Sequence, residues 1–223
     1  EVKLDLLAGD QLKPDYLRLN PNGVVPTLMH DGAVVIDSAV IMEYLEEVEP
    51  PQFTPASPSG RAAMRSLMRF IDEMPTPAVR VPTFNIALLP RFQAMSEVEF
   101  IAFANSKPLR KEFMLRMGRT GFPESEMKEA MDRLRRSVER MDESIRRSGG
   151  PWLMGERLTL ADIAVMPVIV RLDDLRLDAM WSDRPAVARW YDAIRSHPAF
   201  KPTYYFGSLL TEKFAWLKEK LAS

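Results

Sequence analysis

Four prolines fall within the eleven residues Pro50–Gly60, a stretch with little apolar content, and the hydrophobic pattern differs in kind on its two sides. Ahead of it, short alternating runs with the period of strands lead into a single helical stretch; beyond it the pattern is wholly helical, recurring at three- and four-residue steps. That break divides the chain into a strand-bearing segment 1–50, a linker 51–60 and an all-helical segment 61–223, an α+β arrangement.

In the first segment, Val2-Lys3-Leu4-Asp5-Leu6 alternates apolar and polar and predicts a half-buried strand. The connection Leu12–Leu19 has room for one turn of helix, and Asn20-Pro21-Asn22-Gly23 is a turn cluster. Leu28-Met29-His30 and Ala33-Val34-Val35-Ile36 flank Asp31-Gly32, the two-residue signal for a type I′ hairpin. Ser38 is placed to cap the following helix, in which Val40, Ile41, Tyr44, Leu45 and Val48 share a face before Pro50-Pro51 stop it.

The second segment opens on a helix carrying Met64, Leu67, Met68 and Ile71, and prolines 75, 77, 82 and 90 break the stretch beyond it. Pro123, Glu124 and Glu126 start a long helix whose seam is Met127, Met131, Leu134, Val138, Met141 and Ile145, closed by Gly149-Gly150. Thr159 and Asp162 form a capping pair, with Leu158 placed to staple onto Ile163. Asp162 is therefore read as a folding device. Pro185 opens a further helix that stops near His197-Pro198, and Leu209–Leu221 reads as a last amphipathic helix.

Composition excludes several functions. Thirty Lys and Arg balance 31 Asp and Glu, so nucleic acid and anionic membranes find no basic excess. There is no cysteine and there are two histidines, His30 and His197, which leaves no thiolate or histidine-rich metal site; no metal is expected. The longest apolar run, Ile163–Val170, is far shorter than the roughly 20 residues of a membrane span, so a soluble, cytoplasmic protein is expected.

The order of a hairpin-bearing domain, a proline-rich linker and a helical domain resembles the glutathione transferases. The residues agree with it. Asn20-Pro21-Asn22-Gly23-Val24-Val25-Pro26-Thr27-Leu28 is similar to that family's Asn-Pro-x-Gly-x-Val-Pro-x-Leu stretch, and Asp37-Ser38 stands where the family places an acidic residue or Gln before Ser. Leu158–Asp162 resembles its helix-capping motif, and Arg195-Ser196-His197-Pro198-Ala199-Phe200 its terminal signature.

The resemblance implies a thioredoxin-like amino-terminal domain that binds glutathione. Its opening strand and helix are expected ahead of Glu1, together with the Ser, Tyr or Cys that activates the glutathione thiol; that catalytic residue is unassigned here. Val25 and Pro26 are implied to form a cis peptide that pairs with the cysteinyl backbone of glutathione, the alternative being a trans Val-Pro that starts a strand. Asp37 and Ser38 are implied to hold the γ-glutamyl ammonium and carboxylate, the alternative being a simple helix cap. For the glycyl carboxylate the matching places carry Gln11 and Gly23 or Val24, and Gln11 offers a hydrogen bond without charge. Phe84, Asn85 and Phe92 are candidates for an apolar wall against the electrophile, or else core or dimer contacts.

The expected function is transfer of glutathione to an apolar, aromatic electrophile by a homodimer, with glutathione as co-substrate or cofactor. The expected alternatives are glutathione-dependent β-aryl ether cleavage, isomerisation, and a non-catalytic binding protein of the same fold.

Overall fold

Asp31 and Gly32 both adopt left-handed backbone conformations, with φ of 48° and 81°, as the type I′ turn requires. They close an antiparallel hairpin of Thr27–His30 and Ala33–Ile36 in which His30 pairs with Ala33 and Thr27 with Ile36. The computed structural model describes residues 1–50 and 53–222. Pro51 and Gln52 of the expected linker lie outside the described residues.

By packing, the chain divides into two units, Glu1–Pro50 with Leu89–Phe122, and Pro51–Leu88 with Pro123–Ser223. In the first unit a 3₁₀ turn, Asp10–Leu12, and a helix, Pro14–Leu19, precede the hairpin, and the helix Ser38–Val48 comes after it. The returning segment contributes the helices Glu97–Asn105 and Lys111–Met117. It brings an aromatic core: Phe92 is 4% exposed, with its ring centroid 6.1 Å from that of Phe100 and 5.7 Å from that of Phe103.

The expected strand at Val2–Leu6 does not form. No described strand flanks the hairpin, and a strand needs a neighbour on its edge. The Asp5 carboxylate instead accepts from the Leu7 and Ala8 N–H groups and winds the chain into turns, leaving Val2 exposed.

The second unit is helical. Ser57 caps the helix Pro58–Glu73 by accepting from the Gly60 N–H, so helix replaces the last three residues of the expected linker. Phe53 is also fixed, its carbonyl accepting from Leu160 N–H at 3.1 Å. The prolines divide the next stretch into short pieces, Pro75–Ala78 and Arg80–Thr83, then a π-helical stretch Phe84–Leu88.

The long helix runs Glu124–Ser148, burying Leu134, Val138, Met141 and Ile145 of its predicted seam, and Gly149 ends it at φ 73°. Leu160–Asp174 and Pro185–Ser196 complete the core, with Trp190 fully buried. The expected last helix is two, Leu210–Lys213 and Ala215–Ala222, because Phe214 is extended between them.

Asp162 is fully buried at the start of the Leu160–Asp174 helix. Its Oδ1 accepts from the Leu153 N–H at 2.9 Å and from Trp190 Nε1 at 2.8 Å, and its Oδ2 accepts from the N–H and hydroxyl of Thr159, both at 2.9 Å. Burial pushes this carboxyl above the usual range while the four donors pull the other way. It is a folding device, as its sequence context predicts.

Candidate functional site

Thr27 and Ile36 are the last paired residues of the hairpin, so the next residues outward, Pro26 and Asp37, stand opposite each other at its open end. Val25-Pro26 and Asp37-Ser38 therefore meet at one place. All four are exposed or partly exposed.

The Val25-Pro26 bond is cis. The loop leading to it is tied down by Asn20 and Thr27 of the motif and by Tyr16 ahead of it. The Tyr16 hydroxyl donates to the Val24 carbonyl at 2.6 Å and accepts from the Thr27 hydroxyl at 2.8 Å. Asn20 is fully buried; its Nδ2 donates to the same carbonyl at 2.8 Å and to Thr27 Oγ1 at 3.2 Å, while its Oδ1 accepts from Asn22 N–H. Two donors on one carbonyl hold Val24 in place immediately before Val25. Asn20 is visible in the sequence as a turn residue. Nothing in the sequence signals Tyr16, eight positions before its acceptor.

On the other side of the open end, Asp37 sits at φ 75°, ψ 127°. That is a conformation non-glycine residues rarely adopt; it costs on the order of 1–3 kcal/mol and recurs at functional sites. Asp37 rather than Ser38 is the helix cap: Asp37 Oδ1 accepts from the N–H groups of Ala39 at 2.9 Å and Val40 at 3.2 Å. Ser38, predicted as the cap, is the first residue of the helix and its exposed side chain is not spent on capping. The unusual φ turns the Asp37 side chain back over the helix start.

Gln11 is 8% exposed. Its Nε2 reaches Leu6 O at 3.5 Å, a marginal hydrogen bond, and its Oε1 is buried without a partner among the described residues. Gly23 shows why no side chain stands there: at φ 61°, a Cβ would lie 3.1 Å from both a Leu12 methyl and Pro108 Cδ. Phe84 and Asn85 lie half-buried in the π-helical stretch of the second unit. Phe92 belongs to the first unit, where its ring is used in the aromatic core.

The chain is similar to known proteins over most of its length. Residues 1–48 match the glutathione S-transferase N-terminal domain and residues 99–198 the glutathione S-transferase C-terminal domain. Protein LigF of Sphingobium sp. is 31% identical over 215 residues, 92% of this chain and 82% of LigF. The chain belongs to the glutathione S-transferase family. The crystal structure of β-etherase LigF superposes on this transferase-family chain with a TM-score of 0.79 at 29% identity, covering 96% of this chain and 88% of LigF. Mouse maleylacetoacetate isomerase is 23% identical over 171 residues, 76% of this chain and 63% of the isomerase. Glutathione transferase F2 of Populus trichocarpa shares the fold, with a TM-score of 0.69 at 19% identity over 90% of this chain and 83% of its own. The hairpin region is thus the thioredoxin-like part of the transferase fold and the helical region its carboxy-terminal part. Among the described residues, no cluster of three or more His, Asp or Glu side chains is placed to hold a metal, and no helix is long and apolar enough to cross a membrane.

Proposed function

We propose that this chain binds glutathione at the open end of the hairpin and directs its thiol at an apolar, aromatic electrophile. The observation that carries the reading is the meeting of the Val25-Pro26 and Asp37-Ser38 pairs there, open to solvent. A helix start attracts an anion, so Ser38 and the adjacent N–H groups receive the γ-glutamyl carboxylate while the Asp37 carboxylate pairs with the ammonium. Val25 offers its backbone to the cysteinyl unit. Gln11 reaches the glycyl end with a neutral hydrogen bond, its buried and unused Oε1 being consistent with a side chain that turns when a ligand arrives. Glutathione supplies the thiol nucleophile. Phe84 and Asn85, half-buried in the π-helical stretch, are proposed to shape the apolar wall.

Cleavage of β-aryl ethers is a second reading, supported by the likeness to LigF over most of both chains. Isomerisation with glutathione as a true cofactor is a third, supported by the likeness to maleylacetoacetate isomerase. We place the chain in the cytoplasm as a homodimer; exposed Met29, Val34, Val40, Leu45 and Val48 in the first unit support a covered surface.

Calorimetric titration of glutathione into the wild type and Ser38→Ala tests the site. Binding is expected to weaken about tenfold in the variant, the loss of one hydrogen bond to a charged group, with the melting temperature nearly unchanged because Asp37 does the capping. Product analysis with a chlorodinitrobenzene and with a β-aryl ether then separates conjugation, which leaves a thioether, from isomerisation, which consumes no thiol. No glutathione binding at millimolar concentration refutes the reading and leaves a protein of this fold with another function.

A further inference from the structure

The helix Leu160–Asp174 has a buried aspartate near each end, and the helix itself accounts only for the first. Asp162 closes its start. Asp174, its last residue, is 6% exposed and stands where the helix dipole disfavours a negative charge. Three of its hydrogen bonds leave the helix. Oδ2 accepts from the Leu210 N–H at 2.8 Å, and Oδ1 accepts from the Thr211 N–H at 3.2 Å and the Thr211 hydroxyl at 2.6 Å. Arg171 donates to Oδ2 at 2.7 Å and balances the charge. Asp174 thus caps the helix Leu210–Lys213 from 36 positions away, since Leu209, at the cap position, has no side-chain acceptor to offer.

What this cap fixes is the cover of the π-helical stretch. Leu217, on the terminal helix Ala215–Ala222, is fully buried and packs with Ala87 of that stretch and with Leu175, the chain neighbour of Asp174. Lys220 Nζ reaches the Ile86 carbonyl at 3.4 Å. Apolar contact alone places the terminal helix poorly: Leu217 and Leu221 lie one turn apart against the same cluster, so a shift of one turn exchanges one leucine for another. Bonds from two consecutive N–H groups and a hydroxyl to one buried carboxylate are directional and fit a single position. π-Helical turns are rare and frequent at functional sites, and this one carries Phe84 and Asn85.

We propose that Asp174 is a positioning residue for the electrophile: it fixes the terminal helices over Ala87 and so sets the conformation of the π-helical stretch 84–88. It acts through Leu210, Thr211 and Leu217 rather than by touching a reactant. The hold on residues 84–88 stands on these contacts alone, and its consequence for the electrophile rests on the function proposed above.

Two measurements test it in the wild type, Asp174→Ala and Thr211→Val, with Asp162→Asn, which weakens the same helix at its other end, as the control. Hydrogen exchange of amides 84–88 is expected to quicken about tenfold in Asp174→Ala and less in Thr211→Val, but not in Asp162→Asn. Calorimetric titration of glutathione and of its S-(2,4-dinitrophenyl) conjugate reads the aryl group's share of binding as the ratio of the two affinities. That ratio is expected to fall about tenfold in Asp174→Ala and about threefold in Thr211→Val, with glutathione itself unchanged. Where Asp174→Ala does not fold, Thr211→Val, which keeps the buried carboxylate, decides. Unchanged exchange at 84–88 overturns the inference, as does an equal change in Asp162→Asn, which reduces the effect to lost global stability. Faster exchange with an unchanged affinity ratio also overturns it, by separating the stretch from the electrophile. If the wild type binds neither glutathione nor the conjugate, the proposed function falls, while faster exchange at 84–88 still upholds the hold that Asp174 exerts on that stretch.

Discussion

Replacing Asp162 by Asn changes one oxygen for an NH₂ at a site where four donors converge. In one orientation the new NH₂ faces the Leu153 N–H and the Trp190 indole N–H, neither of which can accept. In the other it faces the Thr159 N–H and hydroxyl, and only the hydroxyl can rotate to accept. The second orientation wins, and it leaves the Thr159 N–H buried without a partner, at about 1–3 kcal/mol. The two bonds kept at Oδ1 fall from charged to neutral strength, about 1 kcal/mol each, and removal of a buried charge offsets part of that. Asp162→Asn is expected to cost about 2–4 kcal/mol. Asp162→Ala leaves the Leu153, Thr159 and Trp190 N–H donors unsatisfied and costs about 3–6 kcal/mol or more. Urea denaturation monitored by tryptophan fluorescence reports both, through the midpoint at constant slope. An Asn variant within about 0.5 kcal/mol of wild type, or an Ala variant no worse than Asn, refutes the donor accounting.

Tyr16→Phe removes one of two donors on the Val24 carbonyl; stability is expected to fall by about 1 kcal/mol, and glutathione affinity in the same calorimetric assay by more than stability alone explains. Unchanged affinity separates the Val24 tether from the site. Glu99 forms a capping box with Ser96, whose backbone N–H and then hydroxyl hold the carboxyl below its ordinary value. A depressed carboxyl stabilises above the unfolded pKa and loses that stabilisation as the pH falls. The melting-temperature gap between wild type and Glu99→Gln is therefore expected at neutral pH and should shrink below about pH 4.5; a gap that widens in acid contradicts the cap.

What the sequence made legible is what neighbouring residues decide. Asp31-Gly32 specifies a turn by backbone preference alone, and Thr159 with Asp162 specifies a helix start within four positions. The strand predicted at Val2–Leu6 depends on a neighbour, and alternation cannot announce whether one is there. The cap moved from Ser38 to Asp37 because residue preference at a helix start does not register a positive φ one residue earlier. Phe92, legible as either a wall residue or a core ring, is 4% exposed and packs against Phe100 and Phe103, contacts that no local pattern announces. Tyr16, bonded to Val24 and Thr27, and Pro108, packed against the space beside Gly23, act across folded distance and leave no local pattern.

The first unit is discontinuous: its hairpin lies before residue 50, but the aromatic rings of its core arrive between residues 92 and 103. Made from the amino terminus at the ribosome, such a unit cannot close its core while only the part up to Pro50 has emerged. The hairpin, which leaves Met29 and Val34 exposed even when folded, then waits with apolar surface showing until the chain has been made as far as Phe122. A fragment cut at Pro50 is in the same condition permanently. It is therefore expected to aggregate, while a chain that runs on to Phe122 already brings the hairpin and its aromatic rings together.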